Sequence, residues 1–406
     1  MGTCDRPAAR RPAGLDGRSY HQEFEVLCRY DVFFTDDLFD PASGLLPSVF
    51  ADPGPDGRFH VGVCLDEGLV NAQPDLPNRI AAYFAAHEGR IKLAGEPAIV
   101  PGGEARKGDW EAMLDAVWHF GTPRFGRQDY AMIIGGGAML DLVGFALSIV
   151  YRGGRQVRVP TTVLAQCDAG VEVRTFVNEA GRKDFASTLA PPFAVINDRA
   201  MLRSLGRREW IAGTAEAFKI ALCADRELFD FLCGSAAAIG DRDEDVMDWI
   251  IQRSAVLHLE RIRSEGMAFG TGREQPVDLG HWVGHRLEAM SRYWLPHGQA
   301  IAVGIAVDGA CARRLHLISD EELDRILDGL TRAGLPIYHK HLDERTAHGQ
   351  LKLLASLEDM RHRFGPHVTV LLPDRIGHAV PVRAPDRSTL AHAVAELAER
   401  AGDSAV

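Results

Sequence analysis

A short apolar run, Ala131–Ile134, enters Gly135-Gly136-Gly137 and passes into a helical stretch, Met139–Val150. A strand that is apolar at every position is buried on both faces, as in a parallel sheet covered by helices. The glycines let a ligand approach the backbone, and the helix start offers free N–H groups with a partial positive charge. The unit therefore predicts an α/β fold with a phosphate-binding turn. It is not G-x-G-x-x-G, so the ordinary dinucleotide fingerprint is missing, and a plain tight turn explains the glycines equally well.

The same grammar surrounds it. His60–Leu65 reads as a strand, Asp75–His87 as a helix with Pro77 in its first turn, and Gln156–Val159 as a strand closed by Pro160. This alternation predicts βαβ units and a mainly parallel sheet. After about residue 200 the period changes. Segments near 207–233, 243–263, 278–291, 299–316, 320–333 and 349–363 carry helical periodicity, and Val368–Leu372 is the clear strand. A chain of 406 residues exceeds one core. The expected division is a disordered extension at 1–20, an α/β nucleotide-binding domain at 21–200 and a mostly helical domain at 201–406, with ligands in the cleft between the domains.

With 45 basic and 56 acidic residues the net charge is −11, which argues against nucleic acid or an anionic membrane as partner. An anionic substrate then needs a local cluster of cations. Seven scattered cysteines without C-x-x-C predict a reducing, cytoplasmic setting, and no apolar run is long enough to span a bilayer.

Three segments offer metal ligands. Glu216 lies in a helical stretch with Lys219 three residues on, His281 and His285 share a helix face at i, i+4, and His297 precedes another helix. Two imidazoles and a carboxylate with an open position form a common catalytic zinc set. The H-x-x-x-H pair lacks the Glu of H-E-x-x-H, so spacing alone also admits ordinary core histidines.

Taken in order, the segments resemble the sugar phosphate cyclases of the dehydroquinate synthase superfamily. The series runs Pro101-Gly102-Gly103-Glu104 with Lys107, the Gly135–Gly137 loop with Asp141, and Arg158–Leu164 with Asp168. It continues through Glu216 with Lys219 to His281, His285 and His297. Stretches such as Tyr30–Thr35, Leu93–Pro97, Ala190–Asp198 and Val277–Trp282 are similar to the 2-epi-5-epi-valiolone synthases. The resemblance implies NAD held by Asp66, Glu104, Lys107, Gly135, Gly136, Gly137, Asp141, Thr161, Thr162 and Lys183. It implies Zn²⁺ or Co²⁺ on Glu216, His281 and His297. It places His285, Lys219, Asp168, Arg174, Asp278 and Arg361 around the substrate, and it implies a homodimer.

The implied reaction converts sedoheptulose 7-phosphate to a valiolone-type cyclitol with loss of phosphate, through transient oxidation, β-elimination, reduction and aldol closure. A cyclase for another heptulose phosphate and a non-catalytic homologue are the alternatives. Dehydroquinate synthase itself is disfavoured because Glu274 stands where relatives use Arg to grip a carboxylate. The Pro160-Thr161-Thr162 segment and Lys219 disfavour a polyol dehydrogenase. Four positions depart from the family pattern: Arg174 replaces a usual Lys, Asp184 an Asn, Glu172 a Gly and Gln299 a Glu. Asp184 adds negative charge where relatives meet a phosphate. Arg174, Lys183 or Arg361 is expected to offset it.

Overall fold

The computed structural model describes residues 21–24, 26–121, 125–179, 182–265, 278–364 and 368–402. The 1–20 extension and Glu274 lie outside these. Eleven strands are described: β1 (Asp31–Thr35), β2 (Phe59–Asp66), β3 (Ile91–Leu93), β4 (Ala98–Val100), β5 (Tyr130–Gly135), β6 (Arg155–Pro160), β7 (Arg174–Glu179), β8 (Arg182–Leu189), β9 (Ala194–Asp198), β10 (Thr369–Arg375) and β11 (His378–Arg383). The main sheet runs β1-β9-β6-β5-β2-β3, with β4 also on β2, and each of its pairings is parallel.

Its β2 and β5 strands are buried almost end to end, as their unbroken apolar runs require. Two apolar layers cover the sheet. One packs Leu46, Ile80 and Tyr83 against Val63 and Met132, and the other packs Phe120, Leu140 and Val143 against Ile133. Each fully buried side chain of this size contributes about 1.5–3 kcal/mol. After β2 the chain turns outward to β3 and β4, then returns to the other side of β2 as β5. That reversal is a topological switch point, and ligands of open α/β sheets bind beyond the carboxyl ends of such strands. Asp66 and Gly135 end these two strands.

The second half is helical, as the periodicity requires. One apolar core joins the helices Thr214–Ala224, Glu244–Glu265, His281–Met290, His297–Arg314 and Asp320–Arg332. Three features differ from the sequence expectations. The β7–β8 hairpin is antiparallel and stands off the main sheet, β11 pairs with the single strand foreseen near 368, and a C-terminal helix, Arg387–Ala401, packs on His297–Arg314. No described helix is long and apolar enough to cross a membrane.

Candidate active site

A cavity of about 680 Å³ opens between the glycine loop, the β7–β8 hairpin and the helices carrying Glu216, His281 and His297. Gly136 caps the helix Gly137–Ile149 without any side-chain cap, so its first N–H groups remain available. Thr161 is buried beside the loop and donates its backbone N–H to the Gly135 carbonyl at 3.0 Å. Asp66 lies at the switch point and caps Glu67–Ala72 through Gly68 and Leu69.

The histidines converge because two helices touch closely. A Cβ on Gly298 would lie 1.9 Å from the Ala212 carbonyl, so glycine is required where the His297 helix meets the chain entering the Glu216 helix. Ligand atoms of His281, His285 and His297 all lie within 4.8 Å of one another. Glu216 Oε1 stands 3.2 Å from His297 Nε2 and 3.8 Å from His281 Nε2. The structure thus groups the expected three residues and adds His285 to the cluster. Burial favours the neutral Glu216 carboxyl, but Lys219 and the two imidazoles overcome it and hold its pKa well below the ordinary range. For His285, burial, Lys183 and His281 all act to lower the pKa, leaving a neutral imidazole.

Lys219 is 2.5 Å from Asp168 and 2.6 Å from Glu216, with Asp278 at 3.9 Å. Asp278 is also held by Arg261 at 2.7 Å. Lys107 sits between Asp141 and Asp184, 2.6 Å from each. The cation that offsets Asp184 most directly is therefore Lys107. Lys183 instead turns toward the histidines, 2.8 Å from Glu288, 3.4 Å from Glu104 and 3.0 Å from His297 Nδ1. Arg174 lies 3.6 Å from Glu172. Gln299 accepts a hydrogen bond from Arg208 at 2.8 Å.

Asp66, Glu104, Lys107, Gly136, Gly137, Asp141, Thr161, Thr162 and Lys183 line the cavity, as do Glu216, Lys219, Asp168, Arg174, Asp278 and the three histidines. Gly135 is buried behind the loop. Arg361 is exposed on the helix Leu354–Phe364 and does not line the cavity. Sequence reasoning passed over two buried groups. Glu288, 1 % exposed, accepts from His297 Nδ1 at 2.9 Å, and His258 lines the wall near Asp168. The Glu288 position, one turn beyond His285, was the available hint.

Residues 97–212 match the family model described as 3-dehydroquinate synthase N-terminal, and residues 213–355 the one described as 3-dehydroquinate synthase C-terminal. The chain belongs to the 3-dehydroquinate synthase family of sugar phosphate cyclases. It is 30 % identical over 334 residues to the 3-dehydroquinate synthase of Sulfolobus acidocaldarius, spanning 80 % of this chain and 93 % of that protein. It also resembles a solved 2-epi-5-epi-valiolone synthase from Streptomyces hygroscopicus subsp. jinggangensis, which has NAD⁺ and Zn²⁺ bound. The TM-score is 0.81 at 26 % identity, covering 94 % of this chain and all of that one (100 %). A 2-deoxy-scyllo-inosose synthase complexed with carbaglucose-6-phosphate, NAD⁺ and Co²⁺ shares the cyclase fold at TM-score 0.64 and 20 % identity, covering 89 % of this chain and 94 % of that one.

Proposed function

We propose that this cyclase closes sedoheptulose 7-phosphate into a valiolone-type cyclitol, 2-epi-5-epi-valiolone, with release of phosphate. The observation that carries the reading is the likeness to the 2-epi-5-epi-valiolone synthase along almost the whole chain. A histidine and carboxylate cluster at the cavity supports it.

The residues present fit both groups that such chemistry needs. The His281 and His297 imidazoles and the Glu216 carboxylate form an N/O set suited to Zn²⁺ or Co²⁺, with His285 beside it. His297 Nδ1 is committed to Glu288, which leaves Nε2 for an ion, the outer-shell arrangement usual for metal-bound histidine. For the cofactor, a Cβ on Gly135 would meet Met139 Sδ at 2.4 Å and Asp66 Cβ at 3.2 Å, so the loop is as close to the end of β2 as glycine permits. NAD would lie along Asp66, Glu104, Lys107, the glycine loop, Asp141, Thr161, Thr162 and Lys183. When bound, NAD⁺ supplies a hydride acceptor that is restored each turnover, and the metal supplies a Lewis acid.

The chain's own groups then have separable roles. Neutral His285 accepts and returns a proton beside the metal cluster. Lys219, fixed by Asp168 and Glu216, presents an ammonium to the sugar phosphate. Arg174 and Lys107 add positive charge at the β7–β8 hairpin. The net change breaks a carbon–oxygen bond, releases inorganic phosphate and forms a carbon–carbon bond without net oxidation. Purified protein given NAD⁺, Zn²⁺ or Co²⁺ and sedoheptulose 7-phosphate should yield phosphate and a phosphorus-free seven-carbon product by mass. Turnover of another heptulose phosphate alone would keep the cyclase and change its substrate. The same reading includes a homodimer, checked by light scattering of the purified chain.

A further inference from the structure

We propose that Glu172 and His258 form a hydroxyl-binding subsite that accepts the uncharged polyol end of the substrate and rejects a carboxylate there; this rests on the cyclase reading and specifies its substrate class.

His258 lies on the helix Glu244–Glu265, and its side chain is 7 % exposed. Neither ring nitrogen makes a hydrogen bond among the described residues. Its Nε2 stands 3.5 Å from Asp168 and 3.7 Å from Glu172, close enough to share a third partner and too far to satisfy itself well. All three side chains line the cavity. A buried imidazole with only long ionic contacts and no good hydrogen bond is under-satisfied, so a ligand group that reaches it gains what the folded chain forgoes.

Glu172 is held firmly enough to select. Its backbone carbonyl accepts from buried Arg158 at 2.5 Å, the preceding Val171 carbonyl accepts from Tyr30 at 2.8 Å, and Glu172 Oε1 accepts from the Val173 N–H at 2.8 Å. Burial would raise its carboxyl pKa, but His258 and Arg174 bring it down to about 2, so it is charged at neutral pH. An ionised carboxylate only accepts, whereas the His258 imidazole, whose pKa burial would lower but Asp168 and Glu172 raise, offers N–H donors. A sugar hydroxyl can donate to Glu172 or Asp168 and still exchange a hydrogen bond with His258. A ligand carboxylate has no proton to give and would face Asp168, Glu172 and, beyond Lys219, Asp278. Glu172 also occupies Arg174, the nearby cation best shaped to grip a carboxylate.

The test is calorimetric binding to the full chain loaded with NAD⁺ and Zn²⁺. The ligands are sedoheptulose 7-phosphate and its counterpart with a carboxylate in place of the C1 hydroxymethyl group. Wild-type protein is expected to favour the uncharged end by at least about tenfold, because a site built to pair hydroxyls leaves its buried groups unmatched by another ligand. Glu172→Gln, which keeps the shape and releases Arg174, should shrink that ratio by about tenfold. His258→Ala should weaken binding of the uncharged sugar while metal content stays stoichiometric. An unmoved ratio in metal-loaded Glu172→Gln, or no preference in wild type, overturns the subsite. Binding also separates this claim from the reaction. A shifted ratio without phosphate release in wild type keeps the subsite and defeats the assigned reaction. Phosphate release with an unmoved ratio does the reverse.

Discussion

Lys107 Nζ lies 2.6 Å from Asp184 Oδ1, so one of the two carboxylates expected to depart from the family pattern is paired by a residue 77 positions earlier in the chain. Burial would raise the Asp184 pKa, but Lys107 and Lys183 hold it well below the usual carboxylate range. The price falls on Lys107, which must serve Asp141 as well.

Releasing Lys107 from that duty should strengthen phosphate handling. Asp184→Asn combined with Arg174→Lys is expected to raise phosphate release from sedoheptulose 7-phosphate several-fold, mainly through KM. Kinetics on a folded, metal-loaded double variant check this, and no gain would show that Asp184 and Arg174 already suit the substrate. Removing the cation instead, as Lys107→Ala, strands two part-buried carboxylates and should cost up to about 3 kcal/mol in chemical denaturation.

Glu288 should matter to the metal without touching it. Its carboxylate accepts from His297 Nδ1 at 2.9 Å and is also 2.8 Å from Lys183. Glu288→Gln is expected to weaken zinc affinity by about 10–100-fold, the usual cost of losing such a partner. His281→Ala should abolish stoichiometric metal. Competition with a chelator of known affinity, with circular dichroism to confirm folding, measures both. Full metal occupancy in His281→Ala would refute the ligand assignment.

Asp308 sets a pH dependence of stability. It is wholly buried and accepts from Gly280 N and Trp282 Nε1, both at 2.7 Å, which anchors the start of the helix carrying His281. Burial lifts its pKa from 3.8 to about 7, despite the two hydrogen bonds that lower it. The native state therefore keeps a proton that the unfolded chain releases, so this contribution is full below about pH 4 and is lost as pH rises through 7. Between pH 5 and pH 8 the loss should be on the order of 2–3 kcal/mol. Asp308→Asn removes the titration, and urea denaturation of both proteins at the two pH values reveals the difference. Equal pH dependence in wild type and variant would contradict it.

Much of the fold was legible because its signals are local. The apolar run before the glycine loop identified β5, and the helical period beyond residue 200 identified the helices that carry Glu216, His281 and His297. The β7–β8 hairpin left a weaker trace, since only Thr175 and Val177 give a clear buried alternation in β7. The site's supporting contacts were not legible. Lys183 and Glu288 lie 105 residues apart, and Asp168 and Lys219 lie 51 apart. No periodicity encodes such pairs, because tertiary folding alone brings them together. Resemblance supplied the candidate site residues, while His258, outside the motifs that carried it, emerged only from the packing.

The central claim is a redox-neutral cyclisation, and one stoichiometry tests it. Protein loaded with Zn²⁺ or Co²⁺ and catalytic NAD⁺ is given sedoheptulose 7-phosphate, and phosphate and reduced nicotinamide are followed together. Phosphate in large excess over the cofactor, matched by cyclitol and without accumulating NADH, is the predicted result. NADH that rises steadily with turnover while no phosphate is released would contradict it.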